Sequence, residues 1–211
     1  MKAPFHDRAA AGRKLAHMLE RYRGSPALVL AIPSGGVPVA AEIAAMLGLP
    51  LDVVPVSKVL LPWTTESGYG AVAFDGSVWI DNAAHARWNL TREQMDKGIA
   101  EARAKVERRN FRLRGTRPLP DAKGRPVILV DDGIAAGSTM RTAIAALRKL
   151  KPGEIVVAVP TAHESALEAI AKLADHVCCP NIRGGFSFAV ADAYEIWRDL
   201  SEDEIAAMLG L

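Results

Sequence analysis

Val127-Ile128-Leu129-Val130-Asp131-Asp132-Gly133-Ile134-Ala135-Ala136-Gly137-Ser138-Thr139 is the stretch on which the fold turns. Its four leading residues are apolar, β-prone and uninterrupted, the pattern of a strand buried on both faces. Met140, Ile144 and Leu147 then recur at helical spacing, so the residues between join a strand to a helix. Gly133, Ala135, Ala136 and Gly137 keep side chains out of the way. Main-chain N–H groups and the Ser138 and Thr139 hydroxyls can therefore converge on an anion at the helix N-terminus, and phosphate is the natural guest. Asp131 and Asp132 would repel that phosphate, but carboxylates at a strand end suit ribose hydroxyls or a magnesium-bound sugar. The segment reads as a ribose phosphate site, phosphate end inward.

Two rival phosphate motifs do not fit. A P-loop has four residues between its glycines and then lysine, whereas Gly133 and Gly137 enclose three residues and Ser138 follows. The dinucleotide pattern Gly-x-Gly-x-x-Gly opens no helix in this chain, so a Rossmann cofactor would lack its pyrophosphate cradle.

A second unit of the same kind lies upstream. Leu28 to Ile32 is an apolar run followed by Pro33-Ser34-Gly35-Gly36-Val37-Pro38 and a small-residue helix through Ala41, Ile43, Ala44 and Leu47. Gly35 and Gly36 allow backbone shapes closed to other residues, so their N–H groups can wrap a second anion. Asp52 to Ser57 reads as a third strand ending in Lys58, a mobile charge able to neutralise that anion. From Val59 the chain passes Trp63, Glu66 and Tyr69, resumes as a strand at Gly70 to Phe74, and turns at Asp75-Gly76 into Val78 to Ile80. This predicts a hairpin with a long arm over 59–80.

These motifs resemble the type I phosphoribosyltransferase family, whose fingerprint is an apolar strand, two acidic residues, a short Ala/Thr/Gly loop and a Ser or Thr. The resemblance implies that Gly133, Ile134, Ala135, Ala136, Gly137, Ser138 and Thr139 bind the 5-phosphate of phosphoribosyl pyrophosphate (PRPP). It implies that Asp131 and Asp132 hold the ribose hydroxyls and that Ser34, Gly35 and Gly36 take the pyrophosphate; Lys58, by its own charge, is then the catalytic candidate that neutralises the pyrophosphate as it leaves. Magnesium is expected through PRPP, with Asp131 and Asp132 as its protein contacts and no direct metal motif otherwise. The arm over 59–80 becomes a lid, with Trp63, Glu66 and Tyr69 as lid or acceptor candidates. Where the family usually has Thr, this chain has Ala136, which removes one phosphate-contacting hydroxyl and leaves the main-chain donors. The reaction implied is transfer of ribose 5-phosphate to a nitrogenous base in nucleotide metabolism. A PRPP-cleaving hydrolase and a nucleic-acid-binding PRPP sensor are the alternatives.

The rest of the chain agrees with one domain over its 211 residues, half of them hydrophobic. A formal charge of +2 argues against a general polyanion binder, although ten Lys or Arg against three Asp or Glu between Lys97 and Arg125 make a local basic run that the sensor reading would use. No apolar stretch nears the roughly 20 residues of a membrane span, and a cytoplasmic location without membrane partners is expected. Cys178 and Cys179 are adjacent, so a disulfide between them is sterically poor, and neither they nor the five histidines show metal-ligand spacing.

Helices are predicted from Asp7 to Tyr22 and after capping boxes at Thr91/Gln94, Thr161/Glu164 and Ser201/Glu204, with strands at Ile155 to Val159 and Val177 to Cys179. Apolar strands alternating with helices give an α/β fold, a mostly parallel twisted sheet flanked by helices. Residues 180–211, with Phe186, Phe188, Tyr194 and Trp197 near Arg183, Gly184 and Gly185, are expected to form a hood subdomain that recognises the acceptor. The apolar lid and these aromatics also suggest a homodimer.

Overall fold

The structure, a computed structural model, describes residues 3–65, 67–185 and 188–211, apart from the side chains of residues 84–86. The first half runs α1 (Arg8–Met18), β1 (Leu28–Ala31), α2 (Gly36–Leu47), β2 (Leu51–Val53), β3 (Val56–Leu60), β4 (Gly68–Ala73), β5 (Val78–Ile80), α3 (Asn82–Trp88) and α4 (Arg92–Arg114). It continues with β6 (Pro126–Val130), α5 (Ser138–Arg148), β7 (Glu154–Ala158), β8 (Thr161–His163), α6 (Glu164–Ala171), β9 (His176–Cys178), β10 (Asn181–Arg183) and α7 (Glu202–Met208).

The continuous apolar runs become the middle of a five-stranded parallel sheet in the order β2-β1-β6-β7-β9. Period-two alternation sorts each strand between two cores. Leu28, Leu30, Val127, Leu129, Ile155 and Val157 face a cluster with Met140, Ile144 and Leu147 of α5. Val29, Ala31, Ile128, Val130, Val156 and Ala158 face the other, with Leu15 of α1, Ile43 and Leu47 of α2, and Ile205 of α7. Both faces are covered, which is why these strands read as unbroken hydrophobic runs.

The expected third strand, Asp52 to Ser57, is two strands in two sheets. Pro55 lacks a ladder donor and separates β2, on the parallel sheet, from β3, which leads an antiparallel sheet β3-β4-β5. Lys58 therefore sits within β3, opposite Ala71, rather than at a strand end. The 59–80 segment is also less of a free arm than expected: β3 and β4 pack against α4 and α5, and Tyr69, Ala71, Val72 and Ala73 are buried. Gly76, at φ 82°, makes the β4–β5 turn at the predicted Asp75-Gly76.

Two of the three predicted capping boxes form, Thr91/Gln94 on α4 and Ser201/Glu204 on α7. The third does not: Thr161 is wholly buried in β8, its hydroxyl accepts from Asn181, and His163 precedes α6 without a side-chain cap. A strand pairing of β8 with β10 has taken the Thr. Replacing Thr91 by Ala removes the acceptor for the Gln94 amide, and a loss of about 1 kcal/mol in urea unfolding is expected.

Five of the ten basic residues of the run are engaged within the chain. Arg114 is buried, pairs with Asp52 at 2.7 Å and donates to the carbonyls of Val53 and Pro118. Arg109 meets Glu202, Arg112 meets Asp203, Arg117 donates to Leu113, and Arg125 donates to Pro26. Arg114 ties α4 to β2, and Arg109 and Arg112 tie it to α7, so these residues are not part of a free phosphate-binding stripe.

Both thiols are free and half-buried; burial pushes Cys178 up and Cys179 to about 11, which makes them poor nucleophiles. No described helix is long and apolar enough to cross a membrane.

Candidate active site

Two loops leave adjacent strands at the same sheet edge. Ala31 lies in register with Val130, and the amide of Ile32 donates to the Val130 carbonyl at 2.8 Å. Chain direction diverges here, β1 leading to β2 on one side while β6 leads to β7 on the other, so a crevice opens between the two loops at the carboxyl ends of the strands.

The upstream loop is tight. The Pro33–Ser34 peptide is cis, Gly35 precedes α2 at φ −63°, and Gly36 is the first helical residue. Glycine is needed here for proximity and not for an unusual φ, which corrects the expectation from sequence. A methyl group at Gly36 would stand 2.7 Å from the Val130 carbonyl oxygen and 3.0 Å from the Asp131 Cα, and one at Gly35 would overlap the Asp132 carboxylate. Ser34–Gly36 thus lies flush against the acidic pair.

In the downstream loop, Ile134 departs from its expected role. Its side chain is core, its amide donates to Thr161 and its carbonyl accepts from His163, so it offers no free donor. This tether to β8 turns the rest of the loop outward. Ala135 and Ala136 are exposed, Gly137 takes a left-handed φ of 79°, and α5 begins at Ser138. Among the described residues the N–H groups of Ala135, Ala136, Gly137, Ser138 and Thr139 have no protein acceptor, so a row of donors meets the positive end of a helix. Gly133 must be small because Val190 presses on it: a Cβ would lie 2.6 Å from the Val190 Cγ1.

The two aspartates are in different environments. Asp132 accepts from Nε of Arg8 at 2.9 Å on Oδ2, with Nη2 of the same ion pair 2.9 Å from that oxygen, while its carbonyl accepts the Tyr194 hydroxyl at 2.6 Å. Asp131 accepts the Asp132 amide and has no ion pair among the described residues. Burial, then the neighbouring Asp132 charge, holds the Asp131 carboxyl well above the usual carboxylate range, with Lys58 pulling weakly the other way. Burial raises Asp132 as well, against the opposing pull of Arg8. Burial and the two carboxylates also push the Tyr194 hydroxyl upward, so it stays a donor.

Cations gather beside the upstream loop. Lys58 is exposed, and its charge is felt by both Asp131 and Lys105. Arg109 donates to the Pro33 carbonyl at 3.3 Å. Burial, with Arg109, Arg108 and Lys58 adding to it, lowers the Lys105 ammonium. Lys105 and Arg109 read in sequence as part of an undifferentiated basic run; only the docking of α4 shows which of its residues reach the loop.

The lid candidates separate. Trp63 is 57% exposed and meets Trp88 edge-on at 5.8 Å. Tyr69 is buried with Val59, Leu61, Val72 and Val106, which removes it from any solvent-facing surface. Glu66 lies outside the described residues, as does Phe186 of the expected hood. Of the other hood aromatics, Phe188 packs on His163, while Tyr194 and Trp197 pack together against Arg8. Arg8 gave no sequence signal beyond lying one residue after a helix cap, and Tyr194 none beyond its aromaticity.

Among the described residues no three His, Cys, Asp or Glu side chains group as a metal site. The phosphoribosyl transferase domain model matches residues 5–193. The chain is 36% identical over 205 residues to the Mycobacterium tuberculosis protein named "Putative phosphoribosyl transferase Rv0571c". That match takes in 97% of this chain and 46% of the relative, so the chain spans about half the length of the curated relatives it matches. Among solved structures, TT1426 from Thermus thermophilus is 34% identical with a TM-score of 0.78, covering 99% of this chain and 98% of that one. AQ2163 from Aquifex aeolicus, 12% identical with a TM-score of 0.54 over 85% of this chain and 76% of its own, shares the fold.

Proposed function

The chain belongs to the phosphoribosyl transferase family, and we propose that it moves ribose 5-phosphate from PRPP to a nitrogenous base with release of pyrophosphate. The observation that carries this reading is the crevice between adjacent strand ends, with free N–H donors on one side, a cation-flanked glycine loop on the other, and two carboxylates between. Charge complementarity orients PRPP in it. The 5-phosphate takes the amides of Ala135–Thr139 together with the Ser138 and Thr139 hydroxyls, which leaves Ala136 to contribute its main chain alone. The pyrophosphate takes Ser34–Gly36, with Lys58, Lys105 and Arg109 around it.

As the acceptor nitrogen bonds to the anomeric carbon, the bond to pyrophosphate breaks and its electron pair leaves on the pyrophosphate oxygen. Lys58 neutralises that departing charge, and Asp131 and Asp132 favour the oxocarbenium-like sugar while holding its hydroxyls. Magnesium enters with PRPP as part of the substrate. One carboxylate beside a polyphosphate is a donor set Mg2+ commonly accepts, and Asp131, without an ion pair among the described residues, is the residue that would meet it. The loop tip carrying Trp63 serves as the lid, and residues 180–211 as the hood over the acceptor.

The test is purified protein with PRPP and magnesium against a panel of purine, pyrimidine and pyridine bases, following pyrophosphate. Acceptor-dependent release supports the transferase; release without any acceptor would make it a hydrolase, and no release would end the reading. Lys58→Ala is expected to lower kcat roughly tenfold to a hundredfold with a smaller change in KM for PRPP, because the charge it meets grows during bond breaking. An unchanged kcat would remove Lys58 from the site.

A further inference from the structure

Lys105, Arg109 and Arg112 recur at i, i+4 and i+7, so they share one face of α4. Arg109 is the enclosed member, with a side chain 18% exposed, and its guanidinium is divided between two partners. Nη1 donates to the Pro33 carbonyl at 3.3 Å, and Nε lies 3.6 Å from a Glu202 carboxylate oxygen. We propose that Arg109 is a positioning residue: it holds the Ser34–Gly36 loop at one end of the crevice, and Glu202 of α7 holds Arg109 in place. The inference rests on the reading above, in which that loop takes the pyrophosphate.

The loop closes on two main-chain bonds, the Gly36 amide donating to Ile32 and the Val37 amide to Ser34. Among the described residues the Pro33 carbonyl takes its donor from Arg109. Both ends of this tether are mounted firmly. Asn110 donates to the Phe74 carbonyl and Arg114 is held on Asp52 and Val53, which fixes α4 to both sheets. On the other side, Ile205 of α7 is buried in the core it shares with Ile43 and Leu47 of α2, the helix into which the loop opens. The first turn of α7 then reaches α4 twice, Glu202 to Arg109 and Asp203 to Arg112. The C-terminal helix is thus linked to the glycine loop through a single guanidinium.

A guanidinium committed to a carbonyl and a carboxylate is oriented by them, whereas Lys58 and Lys105 are exposed and supply the mobile charge of this cluster. Gly35 lies against the Asp132 carboxylate, so the loop has room to move only outward, and outward movement would carry its donors away from an anion in the crevice. The sign of Glu202's effect separates positioning from simple charge. As electrostatics alone, a carboxylate beside these cations opposes pyrophosphate, and its removal would tighten binding. As the brace of Arg109, its removal loosens the loop and weakens binding.

The experiment is calorimetric titration of the full chain with two separate probes, inorganic pyrophosphate with magnesium and ribose 5-phosphate, in wild type, Glu202→Gln, Arg109→Lys and Arg109→Gln. Glu202→Gln is expected to weaken pyrophosphate binding about threefold to fivefold and to leave ribose 5-phosphate binding unchanged. Arg109→Gln should weaken pyrophosphate at least tenfold, and Arg109→Lys, with one ammonium in place of two separated donors, should recover only part of that loss. In turnover the same variants should raise KM for PRPP more than they lower kcat, since a held loop binds pyrophosphate in ground and transition states alike. Glu202→Gln carries the test if Arg109→Gln fails to fold. Unchanged or tighter pyrophosphate binding in Glu202→Gln would overturn the proposal, as would equal losses for both probes or full recovery in Arg109→Lys. A wild type that binds both probes yet releases no pyrophosphate with any acceptor would sink the transferase reading and leave the Arg109 assignment to stand or fall on the variants; one that binds neither probe would remove both.

Discussion

Asp131→Asn is expected to lower PRPP turnover by roughly a thousandfold while making the folded protein more stable at neutral pH. The loss of activity follows from removing the one carboxylate of the pair that has no ion-pair partner among the described residues and so is open to sugar hydroxyls. The gain in stability follows from its electrostatics. Burial and Asp132 raise the Asp131 carboxyl, so the folded state binds that proton more tightly than the unfolded chain. The stabilisation is complete below the ordinary carboxylate range and is lost as pH rises through the elevated folded value. Asn has no proton to lose and can still accept the Asp132 amide. Thermal melts should therefore show the variant pulling ahead as pH increases from about 4 toward neutrality, by about 1 kcal/mol at pH 7. Wild-type activity in the variant would remove Asp131 from the sugar site; a variant less stable than wild type at neutral pH would contradict the electrostatic account.

Gly35→Ala is expected to reduce turnover at least a hundredfold and to destabilise the fold by about 3 kcal/mol, although it adds a single methyl group to a residue with an ordinary φ of −63°. The added carbon would occupy the position of the Asp132 carboxylate. That carboxylate has nowhere to yield, because Arg8 holds it from the far side and Tyr194 fixes its main chain. Either the glycine loop backs away from the crevice, or Asp132 leaves a buried guanidinium without its partner. Urea unfolding and PRPP binding measured on the same samples would separate the two routes: loop retreat weakens binding with modest destabilisation, and ion-pair rupture appears mainly in stability. A variant with wild-type binding and stability would show that the loop and the acidic pair are not in contact.

How much was legible in advance depends on whether a property is local. The run from Val127 to Thr139 carries its strand, its turn and its helix start in contiguous residues, and each depends on a short-range rule: burial on both faces, small residues in a loop, apolar recurrence at helical spacing. The α/β class and the two strand-loop-helix units could be read from it and from Leu28–Leu47 for that reason. Thr161 shows the limit, since the same four-residue pattern that caps α4 and α7 is overridden where a strand partner from Asn181–Arg183 competes for the Thr. Lys58 and Tyr69 show it again: sequence put both near the reaction, but β3–β4 packing beneath α4 leaves one exposed beside Asp131 and closes the other into a core.

Sequence alone determined that this chain builds a parallel sheet with two small-residue strand-to-helix loops and an acidic pair beside one of them, because hydrophobic period, turn chemistry and charge are written in neighbouring residues. Tertiary structure alone decided that the loops leave adjacent strands, that Gly35 exists to make room for Asp132, and that Arg8, 124 positions away from that aspartate, pairs with it. Those are consequences of strand order and of how chain ends meet, and no local pattern encodes a distance between residues that only folding brings together.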